Sequence, residues 1–278
     1  MNIRERLRTA AKQLRQAGVP DPEYDSALLL SGITGVPPLT LRAETDRELT
    51  APEEETFQRL LARRAEREPL QYIMGTVVFQ GIPIETRPGV LIPRPETELL
   101  AEWAVERLSG KDNPEILDLC CGSGCLGLSL GVRLKGAHVT LTDLSLEAAA
   151  LTDENRAALG LSCEILTGDL WYPVRGRRFD CVMSNPPYIP TEECGTLQPE
   201  VLREPVMALD GGRDGLDFYR RIAERAAEHL NPGGLLMMEL GMGEAEPVRD
   251  LLTAGGAVYV EIRKDYAGID RMILAEYP

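Results

Sequence analysis

The segment that ends at Tyr188 holds the residues whose types and order point most directly to chemistry. An apolar run, 179–184, leads into Asn185, two prolines and the tyrosine. Proline fixes φ and has no N–H to donate, so Pro186 and Pro187 form a stiff corner with outward carbonyl groups. Asn185 adds a side-chain acceptor and Tyr188 adds a flat aromatic surface. Asn-Pro alone is typical of a turn, but all four residues at the end of a strand predict a catalytic site.

A second candidate site lies in the turn after the apolar run 116–119. A turn of small residues lets the backbone approach a ligand closely, and the helix that follows offers unpaired N–H groups. Asp143 comes about 20 residues later, at the end of the next apolar run, where its carboxylate can accept hydrogen bonds from ribose hydroxyls. The strict G-x-G-x-x-G fingerprint is absent, which favours an adenosine cofactor bound without a pyrophosphate contact. The turn residues are Cys120, Cys121, Gly122, Ser123 and Gly124.

Trp171 extends the predicted adenosine site. It follows the third apolar run, 163–166, and the acidic residue Asp169. Ligands bind beyond the carboxyl ends of strands in open α/β sheets, so we expect the indole to form a wall beside the adenine. A core position is the alternative for a tryptophan.

The elements that must position these residues follow from the apolar periodicity. Up to Gly75 the chain reads as helices, with a capping box predicted at Thr50 and Glu53, and short β-favouring runs from 77 to 84 then predict a hairpin. After residue 95, strands alternate with helices, which predicts a mostly parallel sheet covered on both faces. The last two strands have too few residues between them for a crossover helix and should pair antiparallel. The predicted strands are 116–119, 139–142, 163–166, 179–184, 235–240, 258–263 and 272–275.

Composition excludes several classes of protein. The 278 residues carry a formal charge of −14, and the acidity lies almost wholly after Gly75. This charge argues against broad nucleic-acid binding. Apolar runs are too short for a membrane span, and the polar start lacks the core of a signal peptide, so we expect a cytoplasmic protein. The six cysteines form no C-x-x-C pair, which favours reduced thiols over disulfides or a metal site.

The residues Asn185, Pro186, Pro187 and Tyr188 resemble the signature of S-adenosylmethionine-dependent methyltransferases that modify planar amino groups. Nearly the whole chain resembles one such family, the peptide chain release factor glutamine methyltransferases. The further segments that carry this resemblance are 69–75, 91–98, 204–216 and 264–271.

This resemblance implies an α/β, Rossmann-like class I methyltransferase fold with an antiparallel last strand. It also implies a helical substrate-docking domain at 1–75, a hairpin and linker at 76–95, and the methyltransferase domain at 96–278. The expected activity is methylation of the glutamine amide nitrogen in the Gly-Gly-Gln motif of class 1 release factors. S-adenosyl-L-methionine is then the cofactor and S-adenosyl-L-homocysteine the product; we expect a monomer that uses no metal and contacts neither nucleic acid nor membrane.

Carried over by position, the resemblance assigns cofactor binding to the turn from Cys120 to Gly124 and to Asp143, Trp171 and Asn185. It assigns substrate binding to Asn185, Pro186, Pro187 and Tyr188, with Asn185, Pro186 and Tyr188 as catalytic residues. Cys120 stands where the family usually has glycine.

Three alternatives stay open from the sequence. A ribosomal-protein glutamine methyltransferase is related, although 93–98 looks closer to the release-factor group. A nucleic-acid adenine methyltransferase faces the same problem of holding an amino group, but the acidic charge argues against it. A cofactor-binding adaptor without catalytic activity is the third alternative, but it does not explain the polar and aromatic groups of the Asn-Pro-Pro-Tyr segment, which have no evident structural role.

Overall fold

The computed structural model describes residues 2–43 and 47–278. The chain forms two compact units. The helical unit runs to Thr76 and includes Gln198–Arg203, and the sheet unit comprises Val77–Leu197 and Glu204–Pro278. In the described ranges, every helix is too short or too polar to cross a membrane.

The helical unit is a small bundle around one apolar core. Its first helix begins after Asn2, whose side chain accepts from the Glu5 N–H. The predicted capping box is confirmed: the Thr50 hydroxyl accepts from the Glu53 N–H, and the Glu53 carboxylate accepts from the Thr50 N–H. The buried core residues come from all the helices of this unit that the structure describes. These helices are α1 (Ile3–Gln16), α2 (Pro22–Thr34), α3 (Pro38–Ala43), α4 (Ala51–Ala65) and α5 (Leu70–Met74).

A buried charge cluster holds Gln198–Arg203 within the helical unit. Arg64 on α4 donates to Asp25 at 2.7 Å and to Glu200 at 2.8 Å. Arg67 donates to the other oxygen of Glu200 at 2.5 Å. Burial alone would raise the pKa of Glu200, but the hydrogen bonds from Arg67 and Arg64 outweigh it and hold this pKa at about 2.

A two-stranded hairpin opens the sheet unit, as the sequence predicted. Its strands are β1 (Thr76–Phe79) and β2 (Ile82–Glu85), and Gly81 between them has a φ of +78°. The turn requires this left-handed conformation, which glycine adopts without steric cost. Phe79 and Ile84 are fully buried in the core of the sheet unit.

Strands and helices then alternate, which confirms the predicted α/β class. Short 3₁₀ turns occur at Tyr172–Val174, Cys194–Thr196, Val201–Arg203 and Val206–Ala208. The remaining strands are β3 (Glu115–Leu119), β4 (His138–Asp143), β5 (Glu164–Thr167), β6 (Phe179–Ser184), β7 (Leu230–Glu239), β8 (Tyr259–Lys264) and β9 (Asp270–Glu276). The remaining helices are α6 (Pro95–Leu108), α7 (Cys125–Arg133), α8 (Leu146–Ala158), α9 (Asp217–Ala223), α10 (Ala226–His229) and α11 (Ala245–Ala254).

The seven strands after the hairpin form one sheet in the order β5-β4-β3-β6-β7-β9-β8. The first five of these pair in parallel, while β9 runs antiparallel to both β7 and β8, as predicted from the short connection between the last two strands. Apolar side chains cover both faces: Ile116 lies in one core cluster and Leu117 in the other. A parallel sheet buried on both sides has continuous apolar strands, which explains the sequence pattern.

The order of the sheet determines where a ligand can enter. From β3 the chain proceeds to β4 and β5 on one side, and then to β6 and β7 on the other. The loops that leave β3 and β6 therefore separate above the sheet and open a crevice at their carboxyl ends. Both predicted sites, the turn after β3 and the corner after β6, lie at this crevice.

Candidate active site

A partly open cavity lies at the carboxyl ends of β3, β4 and β6. Five of the residues predicted for the site line it: Cys120, Gly122, Asp143, Asn185 and Pro187. A smaller adjoining space shares Cys120, Gly122 and Asn185 with the first, and Cys121 and Ser123 also line it.

The turn after β3 has an unusual backbone conformation. Cys120, Gly122 and Gly124 have φ values of +59°, +58° and +78°. At Gly124, which precedes α7, an added Cβ would lie 2.7 Å from the Thr152 side chain, so only glycine fits. Cys120 has a Cβ in the left-handed region, a conformation that is strained for any residue except glycine. Cys120, which stands where the family usually has glycine, thus has a backbone conformation that favours glycine.

Asp143 joins the end of β4 to this turn. One of its carboxylate oxygens accepts from the Gly122 N–H at 2.9 Å, and the other accepts from the Ser145 N–H at 2.8 Å. Burial raises the pKa of Asp143, and these backbone hydrogen bonds oppose the shift. Each oxygen keeps a further acceptor site, which allows the carboxylate to bind hydroxyl groups of a ligand in the cavity.

Asp118 is a buried acid near the site for which the sequence analysis assigned no role. It lies inside β3, is 1% exposed, and accepts from the Gly127 N–H at the start of α7 at 2.8 Å. Its pKa is raised to about 7: burial is the largest cause, the Gly127 hydrogen bond opposes it, and the charge of Asp143 adds to it. A carboxylate inside an otherwise apolar strand was the signal that could have identified it.

The structure places Trp171 at a core position, which the sequence analysis gave as the alternative, and its contact with the adenine stays a prediction. Its side chain is 2% exposed and packs in the core, where it stacks on His229 with the ring centroids 4.6 Å apart. Its indole N–H donates to the Arg221 carbonyl at 3.3 Å. A position near the end of a strand does not determine the direction in which a side chain points, and here the indole ring packs in the apolar core.

The corner after β6 presents acceptors. The Asn185 side-chain NH2 donates to the Thr97 hydroxyl oxygen at 3.2 Å. In the ranges 2–43 and 47–278, no hydrogen bond reaches Asn185 Oδ1 or the Pro186 carbonyl oxygen. Pro186 is buried and Pro187 lines the cavity.

Tyr188 is half-buried, and its hydroxyl donates to Glu239 Oε1 at 3.2 Å. Burial raises the pKa of Tyr188 and so does the neighbouring Glu239 carboxylate, so the phenol keeps its proton. Thr97, at the start of α6, donates to the other oxygen of Glu239 at 2.6 Å. No motif in the sequence identified Thr97 or Glu239 as a site residue, although Glu239 is a lone acid after the apolar run 235–238.

The segment 89–94 also lines these spaces. Glu204 holds this segment: its carboxylate accepts from the Ile92 N–H at 2.9 Å and from Arg94 at 2.6 Å. Glu204 is itself buried and precedes Pro205, which also lines the cavity. Two segments that the sequence analysis associated only through the family resemblance, 91–98 and 204–216, thus meet at the site.

Comparisons with known proteins agree on one family. A PrmC N-terminal domain model matches residues 5–75, and a Methyltransferase small domain model matches residues 95–209. A release factor glutamine methyltransferase from Geobacter sulfurreducens is 42% identical over 272 residues, which is 98% of this chain and 95% of the relative. One from Moorella thermoacetica is 40% identical over 278 residues, which is 99% of this chain and 98% of the relative.

A solved structure shows the same fold at lower identity. The 16S rRNA N2 G1207 methyltransferase of T. thermophilus, in complex with AdoMet and guanosine, has a TM-score of 0.55 and 24% identity. The match covers 73% of this chain and 50% of that one. It supports the fold assignment alone.

Proposed function

The chain belongs to the release factor glutamine methyltransferase family, and from this premise we propose how its residues carry out the reaction. The protein transfers a methyl group from S-adenosylmethionine to the side-chain amide nitrogen of a glutamine, in the Gly-Gly-Gln motif of class 1 peptide chain release factors. Its relatives at 40–42% identity carry that name over nearly their full lengths.

The residues around the cavity fit an adenosine cofactor. We assign the ribose hydroxyls to Asp143, whose two oxygens keep acceptor capacity, and the close backbone approach to the turn from Cys120 to Gly124. The walls of the cavity are largely apolar, which suits a flat base. When bound, S-adenosylmethionine supplies a methyl group that is already activated by its sulfonium charge, so the proposed reaction uses no metal.

The corner after β6 holds the substrate amide. An amide nitrogen is a poor nucleophile because its lone pair is delocalised into the carbonyl. We assign one amide hydrogen to Asn185 Oδ1 and the other to the Pro186 carbonyl oxygen, which fixes the orientation of the NH2 group. Tyr188 contributes the aromatic surface next to the flat amide. Such positioning can contribute about 7–11 kcal/mol to lowering a barrier in favourable systems.

One observation carries this assignment. Asn185 uses its NH2 group on Thr97, so the acceptor end of the amide is the one left for a ligand. A substrate NH2 group offers two donors and needs acceptors, and both proposed partners are acceptors without another hydrogen bond among the described residues.

The remaining assignments are proposals about the setting of the reaction. The helical unit docks the release factor, and the segment 96–278 carries the methyl transfer, with 76–95 as linker. The protein acts as a monomer in the cytoplasm, where its substrates work, without contacting nucleic acid or membrane. The formal charge of −14 supports the absence of a nucleic-acid partner.

The test is methylation with labelled cofactor, followed by mass mapping of the modified atom. We expect label on the glutamine side-chain nitrogen of the release factor, and none on a release factor with alanine at that position, on ribosomal protein or on DNA. Asn185→Ala should lower kcat by at least about 100-fold while the cofactor Kd, measured by calorimetry, stays within about threefold. Single-turnover methylation within a few-fold of wild type would contradict the clamp.

A further inference from the structure

A chain of hydrogen bonds leads from a buried carboxylate to the Asn185 amide. Glu239, at the end of β7, is 1% exposed. Its two oxygens accept from two hydroxyl groups, Thr97 at 2.6 Å and Tyr188 at 3.2 Å. The Thr97 oxygen in turn accepts from the Asn185 NH2 group at 3.2 Å. Residues distant in sequence thus make one continuous network at the floor of the site.

The network has a fixed direction. Both oxygens of Glu239 accept hydrogen bonds, so Thr97 spends its single hydroxyl hydrogen on Glu239. The short 2.6 Å distance is typical of a hydrogen bond to a charged acceptor. Because the hydrogen of Thr97 is used, its oxygen can serve Asn185 only as an acceptor. That oxygen therefore selects the NH2 end of the asparagine amide and turns Oδ1 away.

The opposite orientation of Asn185 is disfavoured at both ends. After a half-turn of the amide, Oδ1 would face the lone pairs of the Thr97 oxygen, and a buried acceptor would lose its donor. The NH2 group would then face the substrate NH2, which places donors against donors. Only one of the two orientations that an asparagine side chain offers can bind a glutamine amide nitrogen.

We propose that Glu239 and Thr97 are positioning residues that set the orientation of the Asn185 amide and so make the corner after β6 an acceptor site. This inference rests on the proposed function. Tyr188 ties the same carboxylate to the aromatic end of the Asn-Pro-Pro-Tyr segment, so Glu239 holds both ends of that segment. Burial raises the pKa of Glu239, and the hydrogen bonds from Thr97 and Tyr188 oppose this shift only in part.

The first test separates the hydroxyl group of Thr97 from its volume. Thr97→Val keeps the shape and removes the hydroxyl, whereas Thr97→Ser keeps the hydroxyl and removes a methyl group. We expect Thr97→Val to lower kcat by about tenfold or more with the cofactor Kd within about threefold, and Thr97→Ser to be at least about fivefold more active than Thr97→Val. Equal activity of the two variants, or Thr97→Val within about threefold of wild type, overturns the proposal.

The second test reverses the direction of the network. In Glu239→Gln, the new amide can accept from Tyr188 and donate to Thr97, which frees the Thr97 hydrogen to point at residue 185. In Asn185→Asp, one carboxylate oxygen then accepts from Thr97, and the other oxygen is available to accept from the substrate amide. We therefore expect Glu239→Gln combined with Asn185→Asp to exceed Asn185→Asp alone by about tenfold in kcat. A double variant no better than Asn185→Asp overturns the proposed direction.

A third measurement does not depend on turnover. In a ¹⁵N-labelled protein, the NMR signals of the Asn185 side-chain amide are assigned by their loss in Asn185→Asp. Their chemical shifts should be unchanged in Thr97→Ser and should change in Thr97→Val. Unchanged signals in Thr97→Val overturn the positioning role. If the wild type fails to methylate release factor, the proposed function fails, and these signals still decide the orientation.

Discussion

The left-handed conformation at Cys120 predicts an inverted order of stability for two small substitutions. Cys120→Ala and Cys120→Gly both remove the thiol from the cavity wall, so they lose the same sulfur contacts. They differ in the Cβ atom, which alanine keeps at a φ of +59° and glycine lacks. We expect Cys120→Gly to be the more stable of the two.

The magnitude follows from two opposing terms. A left-handed conformation costs a residue with a Cβ about 1–2 kcal/mol. Glycine loses more chain entropy on folding than alanine does, which costs about 0.5–1 kcal/mol. The difference leaves Cys120→Gly more stable than Cys120→Ala by about 0.5–1 kcal/mol. At a right-handed helical position the same comparison favours alanine by a similar amount.

Tryptophan fluorescence can report this difference on the correct unit. The chain has two tryptophans, Trp103 and Trp171, and both are buried in the sheet unit. Urea unfolding followed at this signal measures the free energy of unfolding of the unit that contains Cys120. Each variant should retain the wild-type m-value, which confirms that the same structure unfolds.

A matched pair at Ala150, an exposed residue inside α8, provides the control. Ala150→Gly should lower stability by about 0.5–1 kcal/mol, because the backbone there is helical. If Cys120→Gly were also less stable than Cys120→Ala, the backbone strain that we infer at Cys120 would be absent in solution.

Three further substitutions test the charges of the two units. Because its pKa is raised to about 7, Asp118 binds a proton in the native state that it loses on unfolding between about pH 4 and pH 7. The free energy of unfolding of the sheet unit should therefore fall by a few kcal/mol as the pH rises through this range. Urea unfolding of Asp118→Asn should show a weaker dependence on pH. Asp143→Ala should weaken cofactor binding by about tenfold or more in calorimetry, and cofactor saturation should restore most of kcat. Because the pKa of Glu200 is lowered to about 2, Glu200→Gln should destabilise the helical unit at pH 7, and this loss should shrink as the pH falls from about 4 towards 2. Hydrogen exchange of the α4 amides measures the loss. An equal loss at pH 7 and at pH 2 would contradict the ion pair as its cause.

Local patterns in the sequence were sufficient to predict most helices and strands and the two loops that form the site. The predicted strand 179–184 coincides with β6, and the alternation of elements predicted the parallel sheet in which the structure pairs β3 with β6. Parallel pairing is what brings these two loops together, and it follows from the crossover helices.

Contacts between distant residues were beyond such patterns. Thr97 and Glu239 are 142 residues apart, and nothing periodic links a helix N-terminus to the end of β7. For Trp171, the strand end was located correctly, but the direction of the side chain depends on the backbone of the preceding loop. There Leu170 has a φ of +43°, a left-handed value that is rare for leucine and invisible to a periodicity argument.

Catalysis by positioning requires that the corner after β6 be stiff from both sides. Below it, the Ser184 hydroxyl donates to the Leu119 carbonyl at 2.8 Å and ties the end of β6 to β3. Beyond it, Ile189 exchanges backbone hydrogen bonds with the segment 209–211, at 2.9 and 2.8 Å. Gly211 approaches so closely that an added Cβ would lie 2.6 Å from the Tyr188 Cα. Since the prolines cannot donate hydrogen bonds of their own, this close backbone contact is what prevents the acceptor groups from moving away from the substrate amide.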